Sequence, residues 1–112
     1  MNEKTKLAPK LSGGMKRRLS IAMALVGGAK FILMDEPTSA VDPASRSEIW
    51  KVIQETKKER CIILTTQHLT EADHLSDRIG ILSHGELLCL GSPHYIKRTF
   101  GVGYHLQLSS ET

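Results

Sequence analysis

The chain has 112 residues, 24% charged and 40% apolar, with a formal net charge of +3. This is the profile of one globular domain and excludes a disordered or fibrous chain. Its longest apolar run, residues 21–29, stops at Lys30, far short of the roughly 18 residues that read as a membrane span. The N-terminal MNEKTKLAPK has no apolar stretch of the secretory type, and the mild positive balance suits an anionic partner without choosing between nucleotide, nucleic acid and phospholipid.

In chain order, residues 1–10 read as a polar lead-in. Ser12 is a good N-cap for a helix over about 13–26, with Met15, Leu19, Ala22, Met23 and Val26 as its apolar face. Gly27 and Gly28 end that helix. FILM, residues 31–34, reads as a buried parallel strand closed by Asp35 and Glu36, and Pro37 prevents its continuation. Asp42 caps a helix with Pro43 in its first position, and Ile49, Val52 and Ile53 form its buried stripe. Trp50 lies beside that stripe as a packing residue. CIILTT, residues 61–66, is a second apolar strand, followed by a short helix from Thr70 to about Ser76 that turns Ala72 and Leu75 inward.

RIGILSHGELLCLG reads as two strands about a His84-Gly85 turn. Pro93 opens a helix to about Thr99, and Val102 to Leu108 alternates as a last strand. Cys61 and Cys89 lack metal-ligand spacing and read as two buried, reduced thiols, while the five histidines are too scattered to form a metal site. The alternation of helix and strand predicts an α/β fold with a mostly parallel sheet and flanking helices. Ligands of such sheets sit beyond the carboxyl ends of the strands. Both apolar strands place polar residues there: Asp35-Glu36 after one, Thr65-Thr66-Gln67-His68 after the other.

LSGGMKRRLS, residues 11–20, sets two glycines and then three cations at the start of a helix. Cations are unfavourable at a helix N-terminus, so this arrangement expects an anion. Glycines at Gly13 and Gly14 let a phosphate approach the backbone closely. Four apolar residues followed by Asp35-Glu36 resemble the Walker B motif of P-loop NTPases, and LSGGMKRR resembles the ABC signature. SAVD, residues 39–42, resembles the D-loop, and a strand then leads into the switch region. The four motifs occur in the order of an ABC ATPase nucleotide-binding domain over about residues 10–83. The finer wording of LSGGMKRRLSIAMAL, DEPTSAVDPASRSEIW, LTTQHLTEAD and GSPHYIKRTFGVGYHLQL resembles subfamily A, the lipid-exporter type; drug-export ATPases share Met15-Lys16-Arg17 and the TTQ wording.

The resemblance implies an ATP-binding and hydrolysing segment with Mg2+, part of a membrane transporter at the cytosolic face. Asp35 would serve the metal and Glu36 would polarise the attacking water. Ser12, Gly13 and Gly14 would contact a nucleotide held by a second, head-to-tail nucleotide-binding domain, and Asp42 would lie at that contact. Transmembrane domains are the other implied partner, and no nucleic acid is expected. The uninterrupted Leu19–Phe31 segment argues against the soluble ABC ATPases of translation or chromosome biology.

Two departures from the family pattern stand out. No GxxxxGK[ST] occurs in the 112 residues. The expected fold is therefore a partial P-loop NTPase lacking the N-terminal P-loop half, with residues 1–112 the C-terminal portion of one domain and 84–112 its hairpin, short helix and strand. A fragment that only presents a signature face to another domain's ATP is the alternative. An open apolar edge at FILM and CIILTT is then expected. The family's switch histidine, four residues before the Glu of the Glu71-Ala72 pair, is replaced by Gln67, with His68 one place on. A one-residue shift turns a strand side chain to the other side, so Gln67 is expected on the γ-phosphate unless the register at the strand end restores His68.

Overall fold

The computed structural model describes residues 8–101. After a 3-10 turn (Ala8–Lys10), the elements in chain order are α1 (Gly13–Leu25), β1 (Phe31–Asp35), α2 (Pro43–Thr56), β2 (Cys61–Thr65), α3 (Leu69–Leu75), β3 (Ile79–Ser83), β4 (Glu86–Gly91) and α4 (Pro93–Phe100). The chain divides into two compact units between Glu71 and Ala72, inside α3.

In the first unit, β1 and β2 pair in parallel, with Leu33 opposite Ile63 and Asp35 opposite Thr65. Helix α2 is the crossover, as parallel neighbours require. Its start is fixed by Asp42, whose Oδ2 accepts from the Ser45 N–H at 2.9 Å, and by Pro43 at the first position. Ser12 caps α1 by accepting from the Met15 N–H at 3.3 Å. The Arg60 guanidinium, just before β2, donates to the Leu25 carbonyl at 2.8 Å and so satisfies an orphan acceptor at the α1 C-terminus. Arg18 joins α1 to α2, donating to the Ser45 hydroxyl and pairing with Glu48 at 3.5 Å. The core of this unit is Ile21, Ile32, Met34, Val41, Ile49 and Ile53.

The expected α/β class is found, with parallel pairing among the described residues between β1 and β2. Four burial expectations are corrected. The strand FILM is buried on one face only: Ile32 and Met34 are 4% and 7% exposed, whereas Phe31 and Leu33 are 75% and 76% exposed. Ile63 shares that open face by register, and no described element covers it. On α1, Leu19, Met23 and Val26 face outward and Ile21 is the buried residue. Apolar residues nearly encircle this helix after Leu19, so periodicity could not choose the face. The face that packs carries Arg18, Ile21 and Leu25, which line a small apolar recess of about 220 Å³ with Ile49 and Val52 of α2. Val52 is therefore half-exposed, while Ile49 and Ile53 are buried as expected. Cys61 is exposed and Cys89 half-buried, both free thiols, because each lies on a strand that is covered incompletely.

In the second unit, β3 and β4 form the antiparallel hairpin expected from the sequence, closed by His84-Gly85. The register pairs Ile81 with Cys89 and Leu82 with Leu87, leaving Leu88 as the extra residue of a bulge. Ser92 caps α4 by accepting from the Tyr95 N–H at 3.1 Å, with Pro93 in the first position. The Tyr95 ring packs over Gly91 so closely that a Cβ there would lie 2.5 Å from Cδ1. Leu75 is buried as expected, and Lys97 pairs with Asp73 at 2.6 Å. The strand expected at Val102–Leu108 lies outside the described residues.

Candidate functional site

The carboxyl ends of β1 and β2 bring two sequence-distant polar groups together. Parallel register sets Asp35 beside Thr65 on the exposed face of the pair. The Thr65 hydroxyl donates to Asp35 Oδ1 and accepts from the Glu36 N–H at 3.1 Å. The same N–H also donates to the Thr65 carbonyl at 3.1 Å. Thr65 thus orients both acidic residues at once. The sequence placed it in the polar cluster without giving it this role; the signal was a hydroxyl at the strand's last position, in register with the first acid.

Glu36 has φ 47°, in the left-handed region. For a residue with a Cβ this conformation is uncommon and costs roughly 1–3 kcal/mol where it is held. Here it is held by the two hydrogen bonds to Thr65 and by the turn that follows, where the Ser39 N–H donates to the Glu36 carbonyl at 3.1 Å and the Val41 N–H to the Thr38 carbonyl at 3.2 Å. Pro37 and Thr38 are buried under this turn, and Ala40, with φ 57°, is left-handed as well.

The basic helix start lies against the same turn. Gly13, Lys16, Arg17 and Ser20 of α1 line a shallow recess of about 380 Å³ with Ser39 and Ala40. Among the described residues, a Cβ at Gly13 or Gly14 would meet no atom outside its own helix turn within 4 Å, so their packing does not demand glycine at either position. The recess offers backbone and cationic donors to an anion.

The remaining site residues are placed as follows. Gln67 and His68 are exposed in the loop between β2 and α3, immediately beyond the strand end. The His68 N–H donates to the Thr66 hydroxyl at 3.0 Å, which shapes the loop. Ser12 and Asp42 are engaged as helix caps. The two hydrogen bonds from Ser45, backbone first and then hydroxyl, hold the Asp42 carboxyl below the ordinary carboxylate range.

A second polar cluster lies beneath the turn. Glu71, fully buried, accepts on Oε1 from the Thr38 hydroxyl at 2.6 Å and from the Trp50 indole N–H at 3.0 Å. Its Oε2 is buried without a hydrogen-bond partner among the described residues. Trp50, expected to be a packing residue, is also a donor here. The sequence carried no periodic or spacing signal for this cluster, because its members come from a turn, a helix and a later helix.

No set of three His, Cys, Asp or Glu side chains is grouped as a metal cage among the described residues. Asp35, an exposed carboxylate with one oxygen engaged by Thr65, suits a cation that takes most of its ligands from phosphate and water, which is the habit of Mg2+. No described helix is long and apolar enough to cross a membrane.

Comparison with known proteins identifies relatives of the chain. A family model described as ABC transporter matches residues 1–39. The chain is 56% identical over 101 residues to the human glucosylceramide transporter ABCA12, covering 90% of this chain and 4% of that protein. It is 52% identical over 101 residues to the mouse phospholipid-transporting ATPase ABCA3, covering 90% of this chain and 6% of that protein. The chain therefore spans only a small part of the length of these relatives. Among solved structures, it resembles the dimeric post-hydrolysis ATP-binding cassette MJ0796 bound to ADP and Pi, with a TM-score of 0.75 and 26% identity over 83% of this chain and 41% of that one. The chain belongs to the ABC transporter family, as a segment of a subfamily A nucleotide-binding domain.

Proposed function

We propose that this segment supplies part of the ATP-hydrolysing site of a lipid-exporting transporter, on the cytosolic face of the membrane. The observation that carries the reading is the β1–β2 register, which joins Asp35 and Glu36 to Thr65 at the sheet end that also leads into Gln67 and His68.

Each residue has its own task. Glu36, at the strand tip, accepts hydrogen-bonding from the attacking water and orients it as general base. Gln67 donates its amide to the terminal phosphate; His68, one place further, is the second donor of the loop. Asp35 holds Mg2+, which offsets phosphate charge when bound. Ser12, Gly13 and Gly14, with Lys16 and Arg17 beside them, contact the phosphates of a nucleotide held by a second nucleotide-binding domain. Asp42 begins α2 next to that contact, and transmembrane domains receive the resulting motion. Lipid as cargo rests on what the relatives are named for: a glucosylceramide transporter and a phospholipid-transporting ATPase.

A P-loop is the remaining requirement, and none of the 112 residues forms one. The 112-residue chain alone is therefore expected to show no ATP turnover. A complete nucleotide-binding domain carrying this segment is expected to hydrolyse ATP. Turnover by the chain alone, or equal turnover by the complete domain with Glu36 and with Glu36→Gln, would overturn the reading.

A further inference from the structure

A fully buried carboxyl group whose second oxygen has no hydrogen-bond partner among the described residues is a costly feature and calls for a reason. The partners of Glu71 suggest one. Thr38 lies two residues after Glu36, in the turn that keeps Glu36 left-handed, and its hydroxyl is spent on Glu71 Oε1. Glu71 itself lies three residues after His68, whose carbonyl accepts from the Glu71 N–H at 3.0 Å. Trp50 of α2 closes the group by donating to the same oxygen. One carboxylate oxygen therefore joins the acidic turn, the helix that follows it and the exit of the switch loop.

We propose that Glu71 is a positioning residue: through Thr38 and Trp50 it locks the turn that carries Glu36 to the segment that carries Gln67 and His68, so that the two halves of the water-activating geometry move as one. The proposal rests on the reading of Glu36 and Gln67 as site residues. Removing the donor of a buried carboxyl oxygen leaves that oxygen less satisfied, which costs free energy where water cannot replace the bond. Loss of the Thr38 hydroxyl should therefore be felt on the far side of Glu71, well away from the substitution in sequence.

Amide hydrogen exchange on the 112-residue chain tests this. The amides of Ser39 and Val41 report the turn, that of Glu71 reports the switch side, and the indole N–H of Trp50, the only tryptophan, gives one isolated resonance. Thr38→Val is expected to speed exchange at all four by about tenfold or more while the β1–β2 ladder amides keep their protection. Thr38→Ser, which keeps the hydroxyl, should restore the original rates. Unchanged protection at Glu71 and Trp50 in Thr38→Val would overturn the proposal, and so would a uniform rise that includes the ladder. Should Thr38→Val not fold, Trp50→Phe removes the other donor and must speed Ser39 and Val41 without touching the ladder; no change there overturns it equally. In a complete nucleotide-binding domain, Thr38→Val should lower kcat with KM for ATP held within about twofold. If the unsubstituted domain hydrolyses nothing, the ATPase reading fails, and the exchange experiment still decides the role of Glu71.

Discussion

Glu36 and His84 have nearly the same φ, 47° and 49°, for opposite reasons. His84 stands with Gly85, φ 81°, at the centre of a two-residue hairpin loop, with Ser83 paired to Glu86. Such loops require positive φ at both central positions because their twist must match that of the strands. Glu36 follows a parallel strand, and no hairpin geometry asks for its conformation. Thr65 on one side and the Pro37–Ala40 turn on the other impose it. At His84 the left-handed residue serves the chain's connection; at Glu36 the chain's connections serve the left-handed residue. Similar φ with unequal cause separates turn chemistry from a conformation imposed by tertiary contacts, which supports the proposed role of Glu36.

The sharpest way to break this comparison is turnover. In a complete nucleotide-binding domain carrying the segment, Glu36→Gln is expected to lower kcat by roughly 10²–10⁴-fold, the range of a lost general base. His84→Asn should leave kcat unchanged. Equal losses from the two substitutions would remove the distinction. The next effect is on stability. Glycine adopts positive φ without a Cβ penalty, so Glu36→Gly and His84→Gly should each raise unfolding stability by up to about 1 kcal/mol, measured by urea denaturation. The pair would then match in stability and part in turnover, Glu36→Gly being inactive. A destabilised Glu36→Gly chain would show that the acid, and not only the backbone, holds the turn together.

Much of this contrast was legible from residues. Asp35-Glu36-Pro37 announces the strand end, His84-Gly85 announces the hairpin, and Asp42-Pro43 and Pro93 announce two helix starts that the structure reproduces. Local chemistry decides these features, and local chemistry is what a sequence displays. The face of α1 was not legible, because Leu19, Ile21, Met23 and Leu25 offer apolar surface all round and packing alone selects Ile21. The one-sided burial of β1 was not legible either. An all-apolar run promises cover on both faces, and Phe31 and Leu33 lack it among the described residues. Thr38, Trp50 and Glu71 escaped for a different reason: a buried acid and its donors are joined only by tertiary geometry, and each residue alone reads as ordinary.

The smallest predicted effect concerns Asp42, the cap of the helix that separates β1 from β2. Hydrogen bonds from the Ser45 N–H and hydroxyl favour the charged carboxylate, so its folded-state pKa lies below the ordinary 3.8. A depressed carboxyl value means that the unfolded chain takes up the proton first. The cap's electrostatic contribution is therefore complete above the ordinary value and is lost as pH falls through the lowered folded value. Asn accepts the same N–H bond without titrating, so Asp42→Asn should remove this part of the acid slope while the helix start persists. Denaturant midpoints of the two chains, followed from neutral pH into the acid range, should draw together once pH falls below the ordinary carboxyl value and toward the lowered folded one. Parallel curves would show that the Ser45 contacts hold the backbone alone and confer no preference for the charged form. Converging curves would make Asp42 a third kind of constrained residue beside Glu36 and His84: ordinary in backbone, tuned in charge, and fixed by the helix it begins.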